Sequence, residues 1–574
     1  MTTNMHQYHI SSSYASNHFI EVTYRFKNDG KQELNFHLPA WRPGRYEMGN
    51  FVKNIQQINF YDSEGNRITA NRMAKDHWQL LDVDASEIVV KYAYYCNKLD
   101  AGSCFVDKDF LYLNFGNCMI YEASAMCETC SVTINTHHEF PILCVTEVID
   151  RTCYFNDFHH LVDSPLFAVR AYQEKSFLVG ATKFNVVFFG NCTIEWDRVL
   201  TDFYKFTEHQ IKVMKYFPVK EYSFFTIAMP DFFYHGVEHT SSTILALGPA
   251  EKLMEEKGYL NLLGVASHEL YHVWNIKTLR PASMWPYRYQ EENYCDLGYV
   301  YEGVTTYLGD LFLRQSRVIS REQFFNEIGS RLNKHQHNPA RLTMPVAEAS
   351  IQTWIDGYVA GIPWRKTSIY DEGSLLALII DLNIIIECNG AYSIHDFMRE
   401  LYDVYLIEKR GYTLQDIKLV LERFLGKRGS DLIDQFAYST RDMLEAISTL
   451  LPQLGVTVEM KKSNSVFEDK FGFTISYSKD GHKVGNVWPS SPAVKGGLAP
   501  GDEIYSLNGE RYEFLDGSEI EVGSTIQLKV YNSREQPYEV TLHSDGQSYF
   551  NSYQLKSKTN KTPIEGALQR KWLG

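Results

Sequence analysis

The chain has 574 residues, 44% hydrophobic and 22% charged, with a formal net charge of −14. Such a length is more than one hydrophobic core serves and predicts several domains, and the composition is that of a folded chain rather than a disordered one. The acidic balance excludes phosphate-backbone binding as the main activity, since that needs a basic surface, so no nucleic-acid partner is expected.

The first ten residues carry neither a basic cluster nor an apolar run, and no secretory signal is expected. Residues 1–170 predict an N-terminal β-sandwich-like domain: 19–26 alternates apolar and polar residues before a turn at Asn28-Asp29-Gly30, and 88–94 and 110–115 repeat the pattern. From about Thr201 the period becomes helical, with predicted helices over 206–216, 260–276, 297–313, 321–332, 372–387, 393–406 and 413–424. The most apolar stretch, 375–386, is short and interrupted by Asp381, which predicts a buried helix and no membrane partner. Residues 456–545 return to strands, punctuated by turn signals such as Asn508-Gly509, and 546–574 read as a polar tail. Ten cysteines without an export signal are expected to be reduced, and the location cytoplasmic. Cys127 and Cys130 lack a second ligand pair, which makes them structural thiols rather than a metal site.

The sharpest chemical signal is His268-Glu269-Leu270-Tyr271-His272. On a helix, residues i and i+4 share a face, so both imidazoles point at one cation with Glu269 beside them. Nitrogen-rich sites with an open position favour zinc over magnesium or calcium. Water on such an ion ionises near pH 7, and an adjacent carboxylate can take its proton. A third ligand belongs on a facing helix. Glu302 is the candidate, because Val300, Val304, Tyr307 and Leu308 would bury its helix, and a buried carboxylate needs a partner or a metal. The competing reading is an exposed glutamate opening a helix, where the dipole favours an anion.

With Asn275, Arg280-Pro281 and Glu302-Gly303-Val304-Thr305, this motif resembles the glycyl aminopeptidase family of zinc peptidases, thermolysin-like gluzincins whose third ligand is a downstream glutamate. The segment Leu38-Pro39-Ala40-Trp41-Arg42-Pro43-Gly44, with Tyr46, matches a signature of the same family. The resemblance implies His268, His272 and Glu302 as ligands of one zinc ion per chain and Glu269 as general base. His235-Gly236-Val237-Glu238-His239 is similar to the family's cleft-lining strand edge. That implies a backbone at Gly236 and Val237 that pairs with the peptide and a Glu238 that holds its free α-ammonium. His235 stands where relatives have glycine, and a solvent-facing loop glutamate is the alternative for Glu238. Tyr370-Asp371-Glu372-Gly373 looks like the family's Tyr-x-Lys-Gly helix entry, whose tyrosine stabilises the tetrahedral oxyanion, a donor worth about 3 kcal/mol. Glu372 replaces the lysine, and simple packing of Tyr370 is the alternative. Ser491-Pro492-Ala493 followed by Gly496-Gly497-Leu498 and Pro500-Gly501-Asp502 is similar to a PDZ domain, with Phe471-Gly472-Phe473 as a carboxylate-binding turn. Trp41, Arg42 and Tyr46 either border the cleft or pack between domains.

The expected architecture is multidomain α+β: an N-terminal β-sandwich-like domain (1–170), a thermolysin-like, mostly helical zinc peptidase domain (171–455), a PDZ-like β domain (456–545) and the tail. The expected activity is zinc-dependent removal of N-terminal residues from peptides, and the resemblance implies a preference for Gly or Ala. Two other readings stand beside it: an endopeptidase with the same centre but no amine capture, and a non-catalytic scaffold whose PDZ-like groove recruits a peptide or protein end.

Overall fold

The computed structural model describes residues 5–136, 139–358, 361–408, 410–478, 481–511 and 523–574. Period-two patterning builds the N-terminal layers. The strand Phe19–Lys27 buries Ile20, Val22, Tyr24 and Phe26. It lies antiparallel between His6–Ser11 and Glu87–Tyr95 in an eight-stranded sheet, and two four-stranded sheets complete this β-rich region. Aromatic pairs fill the layers, among them Tyr8 stacked on Tyr24 with ring centroids 4.2 Å apart. The strand predicted over 110–115 stops at Leu113, and Phe115–Cys118 is a short helix.

After residue 170 the chain is less helical than its sequence pattern predicts. It opens with a five-stranded sheet in the order Gln173–Val179, Thr182–Phe189, Glu221–Ala228, Ser242–Gly248, Phe233–Glu238. The middle three strands run parallel to one another. Glu221–Ala228 is buried at every position from 222 to 227, so it lacks the alternation that marks a half-exposed strand. Phe233–Glu238 pairs antiparallel with Ser242–Gly248 and forms the sheet's edge.

The helix predicted from 206 begins ten residues earlier, at Trp196–Met214; its first half is rich in polar residues although Val199 and Phe203 are fully buried. The remaining helices include Glu256–Tyr271, Thr305–Gln315, Arg321–Gln336 and Ile369–Glu387. Every residue from 372 to 385 of the last is buried. Asp381 there accepts hydrogen bonds from the Tyr307 hydroxyl at 2.6 Å and the Ile394 amide at 2.9 Å, and burial pushes its pKa up to about 6. Among the described residues, no helix is long and apolar enough to cross a membrane. All ten cysteines are free thiols.

The C-terminal β unit has its own core, built on Phe467, Phe471, Phe473, Ile526, Leu528 and Leu542. The Phe471-Gly472-Phe473 turn, expected to receive a chain end, is instead packed by this chain. Gly472 has φ +73°, its carbonyl accepts from the Trp488 amide at 2.7 Å, and a Cβ there would meet Ser491 and, at 3.2 Å, the Tyr549 ring. The expected turn at Asp516-Gly517 lies outside the described residues.

Residues 546–574, expected as a tail, are structured. Ser552–Ser557 pairs antiparallel with Val456–Lys461, and Pro563–Leu573 is a helix opened by a Thr562/Glu565 capping box. Trp572 is 0% exposed and its indole donates to the Tyr307 hydroxyl at 2.8 Å, on the helix that continues from Glu302. Leu568, Trp572 and Leu573 are few among polar neighbours, which hides this amphipathic face from a hydropathy reading.

Candidate active site

The helix Glu256–Tyr271 ends on the motif: His268 and Glu269 lie in its last turn, and His272 is its C-cap, so the predicted continuation to 276 is not helical. Small residues bring this helix against its neighbour. Ser267 donates to the Gly309 carbonyl at 2.7 Å, and a Cβ on Gly309 would stand 3.1 Å from the His268 Cα. The imidazole of His272 is oriented by its own loop, since Nδ1 donates to the Asn275 carbonyl at 2.8 Å and turns Nε2 toward the site, where a bound metal would take the place of its proton. That Nε2 lies 2.9 Å from Nε2 of His268.

Glu302 sits in a π-helical turn, Tyr299–Val304, rather than in the α-helix its sequence predicts. Such turns recur at functional sites because they re-aim one side chain. The Asn275 amide patches this one, donating to the Val300 carbonyl at 2.9 Å and to Thr305 Oγ1 at 3.0 Å. Gly303 lets the backbone of Gly373 approach, for a Cβ on Gly373 would stand 2.7 Å from the Gly303 Cα. The two motif glycines therefore weld the helix of Tyr370 to the turn of Glu302. The result places Glu302 Oε2 at 3.5 Å from His268 Nε2 and 3.3 Å from His272 Nε2. Its other oxygen accepts from the Tyr46 hydroxyl at 2.8 Å.

Glu269 and Glu238 face the same point. Ligand atoms of Glu238, Glu269 and His272 lie within 4.8 Å of one another, as do those of His268, His272 and Glu302. Glu269 is 5% exposed and Glu238 3%, and each has one carboxylate oxygen without a hydrogen-bond partner among the described residues. A Cβ on Gly236 would overlap Glu269 Oε1, so the edge strand admits this carboxylate only because residue 236 is glycine. Gly44, at φ +86°, abuts Glu238 from the N-terminal layers, with its Cβ position 2.8 Å from Oε2.

The electrostatics are those of a site short of positive charge. Burial pushes the Glu269 pKa well above the carboxylate range, with Glu238 and Glu302 adding to it against His272. Burial would raise Glu302 too, but His272 and His268 outweigh it and hold it low. Burial would lower His272, and Glu302 overrides it to keep that ring protonated. Three buried carboxylates around two imidazoles are costly unless a cation joins them. The donor set of two imidazole nitrogens and one carboxylate oxygen, converging within hydrogen-bond range, fits a divalent transition metal.

One cavity of about 780 Å³ collects His268, Glu269, His272, Glu302, Glu238 and Gly236, together with Tyr370. Tyr370 lies with its ring centroid 6.4 Å from that of His268 and its hydroxyl 3.1 Å from that of Tyr358. Burial and Glu302 raise its pKa, which keeps the phenol a neutral donor. Val237 is not in this set: its side chain is fully buried in the apolar core, which leaves it only a backbone to offer. His235 alternates with Gly236 and Glu238 along the strand and lines the rim of the same cavity; burial, with Arg42 adding to it, lowers its pKa to about 4. Glu372 turns away from the cavity. Both its oxygens lie 2.8 Å from His335 Nδ1; burial opposes ionisation of that ring, and Glu372 overrides it, raising the pKa to about 9. Sequence reasoning missed Tyr358, and it left Tyr46 undecided between cleft and packing.

A helix-borne histidine pair, a facing glutamate and an adjacent buried carboxylate make this a metallopeptidase site. The chain matches the Peptidase M61 N-terminal domain over residues 7–170 and the M61 glycyl aminopeptidase domain over residues 261–376. Those two stretches match the M61 family models, and the chain is a metallopeptidase hydrolase. In structure it is similar to the aminopeptidase N family protein from Idiomarina loihiensis, with a TM-score of 0.91 at 22% identity, covering 99% of this chain and 100% of that one. That likeness shows a shared fold. The M1 zinc metallopeptidase from Deinococcus radiodurans, seen as a variant bound to a Tyr-Ser-Ala substrate, overlaps more loosely: TM-score 0.47, 11% identity, 77% of this chain and 94% of that one. No curated protein sequence matches the chain.

Proposed function

We propose that the protein is a zinc aminopeptidase in which His268, His272 and Glu302 hold one ion and Glu238 receives the peptide's amino end. The observation that carries the exopeptidase reading is a buried, incompletely paired Glu238 carboxylate beside Glu269 and His272. A desolvated carboxylate there selects an ammonium group by a charge-assisted hydrogen bond. The open edge of Phe233–Glu238 offers its backbone to an extended peptide, as sheet edges do. With the amine at Glu238, the peptide runs back along the strand past Gly236, which sets its first carbonyl beside Glu269.

When bound, zinc supplies Lewis acidity and brings the pKa of a water to about 7. Glu269 takes the proton of the attacking water and hands it to the departing amine. Tyr370 donates to the oxygen that gains charge as the carbonyl becomes tetrahedral. The backbone at Gly44 closes the space beyond Glu238, which supports a small first residue such as Gly or Ala. The C-terminal unit reads as PDZ-like in its strand succession and its Ser491-capped helix Pro492–Gly496. Tyr549 over the turn argues against a free carboxylate site there.

Metal analysis with a panel of aminoacyl fluorogenic amides tests this. One zinc per chain is expected, with cleavage of Gly and Ala amides far faster than of their N-acetylated forms. Comparable cleavage of an N-blocked peptide would make the enzyme an endopeptidase, and a protein that binds no metal and hydrolyses nothing would be a scaffold.

A further inference from the structure

The candidate active site is not assembled by the peptidase body alone. A loop of the N-terminal layers, residues 41–46, crosses to it and is fixed at its root. Trp41 is fully buried, its indole donates to the Arg288 carbonyl at 2.7 Å, and its ring stands edge-on to Tyr287 and Trp354 at centroid distances of 5.4 and 5.1 Å. The neighbouring Ala40 amide donates to the Tyr289 carbonyl at 2.8 Å. From this anchor the loop reaches two functional carboxylates: Gly44 packs on Glu238, and Tyr46 donates its hydroxyl to Glu302 Oε1 at 2.8 Å. Tyr46 is 1% exposed, with its ring 5.0 Å from that of Tyr301 and 6.2 Å from that of Trp354, so the phenol is held by aromatic packing.

A carboxylate ligand has two oxygens and can rotate. Here Oε2 faces the two imidazoles, and Oε1 is taken by a phenol that burial keeps neutral and donating. We propose that Tyr46 is a positioning residue of the metal centre: its hydroxyl locks the rotation of Glu302, so that the N-terminal layers supply one hydrogen bond on which zinc affinity depends. The inference rests on the reading of Glu302 as a ligand. Without the phenol, Oε1 would be buried and unpaired and the carboxylate free to turn from the ion. Outer-shell partners of this kind are worth about 10- to 100-fold in metal affinity.

The test is the zinc dissociation constant of the full-length chain, by competition with a chromophoric chelator, for three variants. Tyr46→Phe keeps the ring and removes only the hydroxyl, and is expected to weaken zinc about 10- to 100-fold. Trp41→Phe breaks the loop's anchor bond without touching Glu302 and serves as the structural control; its melting temperature should fall while its zinc affinity stays within about threefold of wild type. Glu302→Gln should weaken zinc at least as much as Tyr46→Phe. Wild-type affinity in Tyr46→Phe, or equal losses in Tyr46→Phe and Trp41→Phe, would overturn the role of the hydroxyl while leaving Glu302 a ligand. Wild-type affinity in Glu302→Gln would remove the ligand reading itself, and the Tyr46 inference with it.

Discussion

Glu269→Gln is expected to lower kcat on a Gly or Ala amide by about 10³- to 10⁴-fold while zinc stays bound at one per chain. Glutamine matches glutamate in shape and fits the same slot against Gly236, where no Cβ could be accommodated. It cannot accept and return a proton. The imidazoles of His268 and His272 and the carboxylate of Glu302 are untouched by the change, so the ion should remain. Parallel measurement of turnover and zinc content separates the outcomes. Turnover near the wild-type rate would remove Glu269 as the base. Loss of zinc together with activity would mean that the ion sits in the other carboxylate grouping, among Glu238, Glu269 and His272.

Glu238→Ala should separate substrates by their amino ends. The carboxylate is 3% exposed, so an ammonium bound against it has left water and depends on that partner. Truncating one member of a desolvated charge pair costs about 2–5 kcal/mol, which is a fall of roughly 30- to 4,000-fold in kcat/KM for free-amine peptides. The low residual rate on N-acetylated peptides should not fall with it. Equal losses on both substrate types would show that Glu238 supports the cleft in general and would end the exopeptidase assignment.

The metal pair was legible because one helix carries it: spacing i, i+4 fixes a shared face wherever the helix packs. Glu302 was legible only as a buried acid on an apolar run, and the π-turn that aims it comes from packing, with Asn275 holding Val300 and Gly303 against Gly373. Nothing in local periodicity reports such a contact between distant segments. The same holds for Tyr46, whose partner is 256 residues away. The five-stranded sheet was obscured because its inner strands are buried on both faces and so show no alternation. The C-terminal helix left a usable sign in Thr562-Pro563 and Glu565, a capping box with proline at its first turn, but too few apolar residues follow for hydropathy to announce it. Glu372 shows the limit of reading a motif by position. It stands two residues after Tyr370 in the motif, yet its environment makes it the partner of His335 rather than a lining of the cleft.

The most direct test of the metal centre is anomalous diffraction at the zinc edge from crystals grown with zinc. A single peak is expected within about 2.0–2.2 Å of Nε2 of His268, Nε2 of His272 and Oε2 of Glu302, the bonding range for imidazole and carboxylate. A peak elsewhere, or density showing Glu302 turned away from the two imidazoles, would contradict it.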